Sequence, residues 1–498
     1  MEHWVNGLIS VLQPTSFMYL VLGVLGGIIV GALPGMSGSM GIILLLPFTY
    51  YLDPGTALVM LAGMFCGSMY GGSISAILVR TPGTPSAAAT VIDGYPLREQ
   101  GKSGKAIGIS AISSFLGGLF SAVCLAFLAP QLAKVALKFR PQDYAMLAIF
   151  GLTIMASTSG ENLLKGLISG WFGLLLATVG IDVLVGMPRF TFGVPNLMSG
   201  FPVVVVLIGV FALSQVLAEA EIGRRQDAVV DQKMMGALPT LREIKSVLKA
   251  VSLGSIIGVI IGIIPGTGGS IACFLAYNEA RRWSREKEKF GHGSLEGVAA
   301  PEAANNATTG GALIPCLSLG VPGDVITAVM LGALMLIGVR PGPMLFLERP
   351  DIVYTLFAGF FVVQFVMLFL GLLAARFSTY ILRIPYDILM PIVVVLCTVG
   401  AYTLNNNMFD VLLALIFGVV GYFMRKYNYP TAPLVLGIIL GPMAETNLNR
   451  ALLLSQNNWS VFITSPISLA FLILSAISIF LALYTLKPRE GKSEARTA

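Results

Sequence analysis

The sequence predicts an all-α polytopic membrane protein of two homologous halves, set as inverted repeats with re-entrant or broken helices at Pro-Gly motifs. Three observations predict it. Of 498 residues 56% are hydrophobic and 11% charged, less than half the roughly 25% charged share of a soluble domain, and the mean hydropathy is +0.84. Apolar runs recur along the whole chain, enough for about 10–12 membrane segments. Short glycine–proline motifs return in the same order in both halves. A large water-soluble enzyme is excluded, because the chain lacks the polar surface it would need.

In order, the apolar runs fall at about 17–33, 40–52, 55–80, 106–130, 143–157, 163–186 and 200–218, and then at 248–278, 309–319, 324–340, 351–374, 387–402, 408–424, 432–443 and 465–486. Several are shorter than the ~20 residues a spanning helix needs. Short runs cut by glycine and proline imply broken helices, which a bilayer tolerates only where protein or water covers the freed backbone. Glycine itself is high, 56 of 498 residues, against a usual share of about 7%. The helices therefore pack very closely or break on purpose.

Two polar islands divide the chain. Residues 219–249 carry eleven charges and read as a cytoplasmic linker, and residues 279–289 carry eight within a cytoplasmic segment 279–296. The expected organisation is a first repeat over 1–218, the linker 219–249, a second repeat over 250–464, and a C-terminal helix with a basic tail over 465–498. The net charge of +6 sits in short basic runs between apolar stretches. That is the positive-inside pattern rather than a nucleic-acid footprint. With both islands on one side, 249–278 becomes a re-entrant hairpin with PGTGG (265–269) at its tip. The pair Arg425-Lys426 and the tail residues Lys487, Arg489, Lys492 and Arg496 also read as cytoplasmic. Counting crossings then puts the 130–142 loop outside, despite Lys134, Lys138 and Arg140, and its partner around Arg376 and Arg383 inside. Equivalent loops on opposite faces are what inverted repeats produce. The start, MEHWVNG, has no basic stretch, so the first span is expected to be retained. The five cysteines lie in apolar segments without paired spacing and read as free, buried thiols.

The duplication rests on three matches. The string G-x-x-P-G-x-x-G-S occurs at Gly31–Ser39 and Gly262–Ser270, an offset of 231. Gly71-Gly72 followed by Pro82-Gly83 is matched by Gly310-Gly311 followed by Pro322-Gly323. Pro141-x-Asp143 is matched by Pro385-x-Asp387 at offset 244.

Proline followed by glycine inside an apolar run ends a helix, since proline removes a donor and glycine lets the chain turn. The break frees N–H groups, and a helix starting after it points its positive end into the gap. Such ends bind anions. Four breaks recur: Pro34-Gly35 with Ser37, Gly38 and Ser39; Pro82-Gly83 with Thr84; Pro265-Gly266 with Thr267, Gly268 and Gly269; and Pro322-Gly323 with Asp324. A lone break is equally a packing kink, whereas paired recurrence favours a ligand site. Beside the later breaks, EAANNATTGG (302–311) offers Asn305, Asn306, Thr308 and Thr309 to a carboxylate or a coupling cation. A polar surface turn is the alternative. Ser37, Ser39, Ser68 and Ser73, with Gly71 and Gly72, are the first-half counterparts. Glu302 is the candidate for carrying a coupling proton or charge, with interfacial placement equally open. Arg80 is placed to meet an anionic substrate, or else to snorkel or pair.

SMYGGSISAILVRTPGTPSAAATVIDGYPL (68–97) and GVAAPEAANNATTGGALIPCLSLGVPGDVITAVMLGAL (297–334) closely resemble the large membrane subunit of tripartite tricarboxylate transporters, the TctA family. The resemblance runs over nearly the whole chain. It implies a multi-pass carrier of the bacterial inner membrane that works with a small membrane subunit (TctB-like) and a periplasmic solute-binding protein (TctC-like). It also implies uptake of a carboxylate such as citrate, driven by Na+ or H+, with no other cofactor. The four Pro-Gly motifs and Asn305-Asn306 match the family pattern.

Other chemistries fit poorly. GMSG (35–38) has the G-x-S-G shape of a membrane serine protease, but the only histidines are His3 and His292, neither at membrane depth. No Gly-x-Gly-Asp follows Tyr386-Asp387 to make an aspartyl pair, and Pro96 stands where a P-loop ending at Gly101-Lys102-Ser103 needs glycine. Two histidines and no Cys/His cluster leave no metal site. A channel filtering at the same breaks, or a stand-alone carrier of another organic anion, are the rival readings. Two halves in one chain favour alternating access about a central site.

Overall fold

In the computed structural model, residues 2–158, 163–182, 185–222, 237–381 and 386–485 are described. Residues 223–236 of the expected linker, Arg383, Pro385 and the basic tail lie outside them. The helices are α1 (Glu2–Leu12), α2 (Pro14–Ala32), α3 (Gly38–Thr49), α4 (Pro54–Val79), α5 (Ala88–Glu99), α6 (Ser103–Ala136), α7 (Pro141–Thr158) and α8 (Leu163–Ala177). Two short antiparallel strands of two residues each, β1 (Gly180–Ile181) and β2 (Pro188–Arg189), follow. Then α9 (Val203–Leu207) and α10 (Ser214–Ile222) are joined by a π-wound stretch, Ile208–Leu213. The rest comprises α11 (Leu241–Ile263), α12 (Gly268–Trp283), α13 (Leu295–Leu319), α14 (Val325–Leu336), α15 (Leu345–Glu348), α16 (Pro350–Ile381), α17 (Tyr386–Asn405), α18 (Met408–Lys426), α19 (Thr431–Leu454), α20 (Val461–Thr464) and α21 (Pro466–Thr485). Among the described residues eight helices are long and apolar enough to cross a membrane, and four shorter apolar helices accompany them. This is an all-α polytopic membrane protein.

The chain forms two compact units, one of Met1–Lys138 with Pro202–Phe423 and one of Phe139–Phe201 with Met424–Ala498. Each draws on both halves of the sequence. In the first unit, Gly23, Gly27 and Gly31 of α2 lie on the backbone of Met60, Met64 and Ser68 of α4. Both series advance by four residues, about one turn, so α2 and α4 run parallel with their backbones in contact. Likewise, Gly254, Gly258 and Gly262 of α11 lie on Ala300, Ala304 and Thr308 of α13. A Cβ at any of these glycines would run into a carbonyl of the partner helix. Helices that gain nothing by hiding from lipid must associate by such close packing. Between the parallel pairs, α3 and α12 turn back, so α2–α3 and α11–α12 are helical hairpins. Their tips hold Gly35 and Gly266, both in the left-handed region at φ +87° and +82°.

The structure corrects the sequence reading in three places. EAANNATTGG is no surface turn: it lies in the middle of α13, which starts at Leu295 rather than at the apolar run 309–319, and Glu302 through Gly311 are all buried. Hydropathy misses the helix because its polar side chains face protein, not lipid. The end of the expected linker is also helical. Thr240 and Glu243 form a capping box that starts α11 at Leu241, and Lys105 of α6 holds Glu243 at 2.6 Å. Glu219, counted with the linker, is buried on α10 with its carboxylate beside Gly35 and takes the Gln215 amide at 2.9 Å.

In the second unit α7 and α8 pack on α19, where Gly173 lies under the Leu434 carbonyl and Gly437 against that of Gly170. Asp143, near the start of α7, accepts from Ser465 at 2.6 Å, Ser468 at 2.9 Å and the Arg140 N–H at 2.9 Å.

The α11–α13 contact is backbone on backbone and cannot yield, so we expect Gly258→Val to destabilise the fold by about 1–3 kcal/mol. Thermal unfolding of the detergent-purified protein should show a lower midpoint; an unchanged midpoint would contradict the packing described.

Candidate functional site

The four Pro-Gly breaks close into a ring inside the first unit. Gly83 packs on the carbonyl of Gly31, so the second break lies on the first, and the Gly83 N–H donates to Gly72 O at 3.1 Å. Gly323 packs on Ala312 and the carbonyl of Gly262, and the Gly266 N–H donates to Gly323 O at 2.7 Å, which joins the fourth break to the third. Across the halves, Gly38 at the start of α3 lies against Ser68 and against Ile326 at the start of α14. Gly269 at the start of α12 lies against Ser86, in the 3-10 turn Pro85–Ala87 that leads into α5. Helix starts therefore meet in two pairs, α3 with α14 and α12 with α5. This convergence brings together most of the residues singled out from the sequence.

The two pairs differ chemically. At the first, Ser37 caps α3, accepting the Met40 N–H at 3.2 Å, and its hydroxyl bonds that of Ser39 at 2.9 Å. Asp324 caps α14 through a capping box with Thr327, with N–H to carboxylate 2.7 Å. A carboxylate at a helix start already answers the positive end, so that pair is satisfied from within. At the second pair neither helix start has a side-chain cap. Thr267 turns its hydroxyl back to Ile261 O at 2.6 Å and Ile264 O at 2.9 Å, and Gly268 stands in the left-handed region at φ +67° with open space around it. A Cβ at Gly269 would lie 3.1 Å from Ser86 Cβ, 3.3 Å from Thr308 Oγ1 and 3.4 Å from Asn305 Oδ1. Thr84 lies against Gly72, and its hydroxyl bonds Ser86 at 3.2 Å.

Two polar groups of α13, Asn305 and Thr308, face this end. Asn305 donates its amide to Met69 O of α4 at 2.9 Å, while its Oδ1 has no partner. Neither amide atom of the buried Asn306 has one. Thr308 and Thr309 bond back to the carbonyls of Asn305 and Asn306, both at 2.6 Å. A buried polar group without a partner costs about 1–3 kcal/mol, so these open atoms of Asn305 and Asn306 are places where the fold leaves a polar group unanswered.

One turn earlier on α13, Glu302 is wholly buried inside the protein. Its Oε1 accepts from Ser73 of α4 at 2.5 Å and from Thr90 of α5, and its Oε2 from Ser110 at 2.8 Å and Ser114 at 3.1 Å, both on α6. Of this cage the sequence reading found Glu302 and Ser73. Thr90, Ser110 and Ser114 escaped it, although the four-residue spacing of the two serines puts both on one face of a helix. Ser86 escaped it too. Ser68 bonds its own helix at Phe65 O, 2.9 Å, and Gly71 packs on the Ile28 carbonyl of α2.

Arg80 is not brought to the ring. It is exposed at the end of α4, in the left-handed region at φ +57°, with its guanidinium 5.5 Å from the centroid of Tyr95, which Arg98 also approaches. In the second unit, a cavity of about 250 Å³ lies between β1–β2 and α19. Arg189 lines it, held by both oxygens of Glu445 at 2.5 and 3.1 Å and by Asp182 at 3.2 Å. Among the described residues no group of His, Cys, Asp and Glu is placed to hold a metal ion.

Fold and site thus define a multi-pass membrane protein whose interrupted helices meet at a polar interior. Residues 17–436 match the tripartite tricarboxylate transporter TctA family. The chain belongs to that family, and so to the components of tripartite tricarboxylate transporters, not to an enzyme family. It is 36% identical over 477 residues to an uncharacterized 52.8 kDa protein in the TAR-I ttuC' 3' region of Agrobacterium vitis, covering 96% of this chain and 95% of the relative. A second Agrobacterium vitis protein, in the TAR-II ttuC' 3' region, is 36% identical over 226 residues, 45% of this chain and 93% of that one.

Asp93 of α5 ties down the charged connection between α12 and α13. Its Oδ1 accepts from the N–H groups of Gly291, Gly293 and Ser294 at 2.8–2.9 Å, and its Oδ2 from the Tyr277 hydroxyl at 2.9 Å. Removing a carboxylate that answers three N–H groups costs more than a neutral hydrogen bond. Asp93→Ala should therefore release the segment and raise the rate of trypsin cleavage at Arg285, Lys287 and Lys289 about tenfold or more; an unchanged rate would refute the tie.

Proposed function

We propose that this chain is the large permease subunit of a tripartite carboxylate transporter in a bacterial inner membrane. On this reading it takes up a di- or tricarboxylate of the citrate type with a cation, Na+ or H+. A periplasmic solute-binding protein delivers the anion, and a small membrane subunit completes the assembly. The observation that carries the reading is the uncapped meeting of α12 and α5 beside Asn305, Thr308 and Ser86, with the unpartnered Asn306 next along α13. Freed N–H groups and two helix dipoles there favour a carboxylate. The amides supply contacts that the fold leaves open.

A multiply charged anion is costly to desolvate even when paired. Fixed dipoles and a co-bound cation lower that cost, which is why binding on this reading is coupled to the cation. The packing is also what inverted repeats would give. The counterparts α4 and α13 run antiparallel: Cys66, Met69 and Ser73 meet Thr309, Asn305 and Glu302 in reverse order. Each packs against a long helix of the other half, α13 on α6 and α4 on α16. Rocking one such half against the other around the shared ring would give alternating access.

Uptake of di- and tricarboxylates, with and without sodium, in a strain carrying all three components tests the reading. A variant with Asn305→Ala and Asn306→Ala should lose about tenfold or more of uptake, the worth of one to two hydrogen bonds to a charged ligand, while inserting normally. Full uptake by that variant would sink the site assignment, and no carboxylate uptake by the parent would sink the function.

A further inference from the structure

We propose that Glu302 and its hydroxyl cage form a proton-binding site whose occupancy is coupled to anion binding at the α12–α5 end. The inference rests on the carboxylate reading above and names the coupling ion it left open.

The first argument is the chemistry of the cage. An ionised carboxylate offers four acceptor positions, and Ser73, Thr90, Ser110 and Ser114 fill four. All are hydroxyls. Arginine, lysine or backbone N–H donors would fix the charged form, because they can only donate. A hydroxyl can also accept, so when Glu302 takes up a proton one cage member reverses and turns its own hydrogen to the carbonyl one helical turn back. The cage is satisfied in both states. It also sits directly on the carboxylate oxygens, at 2.5–3.1 Å for the three serines, and a metal cation would have to part these contacts.

The surroundings supply no counter-charge. Among the described residues no lysine, arginine or histidine pairs with Glu302. The titratable groups that sense it are Tyr70 of α4, whose hydroxyl donates to Gly371 O of α16 at 3.0 Å, and Cys273 of α12, whose thiol donates to Pro301 O at 3.3 Å. Asp93 of α5 is turned to the 291–294 segment, and Lys105 of α6 is spent on Glu243 at 2.6 Å. A carboxyl buried in a membrane protein without a counter-charge has the chemistry of a proton carrier.

The coupling is built into shared elements. On α13, Glu302 lies one turn before Asn305. On α5 and its leading turn, Thr90 lies one turn after Ser86. On α4, Ser73 follows Gly72, on which Thr84 packs. Three of the four elements that make the cage therefore also line the α12–α5 end. A carboxylate arriving there meets the charge of an ionised Glu302 about two turns of helix away. In a protein interior this weakens its binding on the order of tenfold, and protonation removes the penalty. By reciprocity the anion tightens proton binding by the same factor. The proton is taken from water as the anion binds and returned to water as it leaves.

The test is infrared difference spectroscopy of the full-length protein in nanodiscs, titrated with pH in the absence and presence of citrate, with citrate binding followed in parallel by calorimetry. The parent should show a carboxyl C=O band that titrates and is absent from Glu302→Gln, and saturating citrate should shift that titration about one pH unit upward. Should Glu302→Gln fail to fold, Ser114→Ala serves: it keeps Glu302, removes one donor to its carboxylate and should move the titration to higher pH. A band indifferent to either variant, or one that bound citrate does not shift, overturns the proposal. Absence of citrate binding to the parent, with the band titrating, overturns the carboxylate reading and with it the coupling.

Discussion

A helix broken inside a bilayer frees backbone groups that lipid cannot satisfy, and everything in the first unit follows from how the four breaks of this chain cover one another. Gly83 lies on the Gly31 carbonyl and Gly323 on that of Gly262. The remaining gaps close because the helix starts of one half rest on those of the other. Such contacts need helices whose backbones touch. The glycines at four-residue intervals on α2 and α11 make that possible by placing each hairpin flat against α4 or α13. Side chains between the helices would hold the axes apart and leave the breaks uncovered.

That close packing creates the polar interior. With backbones in contact, α13 is surrounded by α4, α5, α6, α11 and α12 and has no lipid-facing side. It can therefore carry Glu302, Asn305, Asn306, Thr308 and Thr309 within eight residues. Glu302 is satisfied by hydroxyls from three other helices, whereas the amides of Asn305 and Asn306 keep unpartnered atoms. The difference separates a group the fold provides for from groups it leaves unanswered. It also separates the ends of the ring: Ser37 and Asp324 satisfy one pair of helix starts internally, and the other pair stays open.

The hairpin tips at Pro34-Gly35 and Pro265-Gly266 were legible in the sequence because proline and glycine act locally, on their own torsions. The cap Thr240–Glu243 was equally local, and only charge density hid it. The helix through EAANNATTGG was not legible. Hydropathy assumes that a residue's partner is lipid or water, and the partners of Glu302 and Asn305 lie 188 to 236 positions away in the chain. For Arg80 the sequence left two placements open. Its neighbourhood in sequence placed it near the second break, but the end of α4 carries it outward to Tyr95.

The sequence by itself determined the solvent of this protein, the positions of the four breaks and the order in which their motifs recur. These follow from composition and from torsional chemistry confined to a few residues. Only the tertiary structure decided which breaks face each other, which helix starts remain uncapped and that Ser73, Thr90, Ser110 and Ser114 converge on one carboxylate. Those are distances between segments far apart in the chain, and they are set by how closely glycine lets the helices approach.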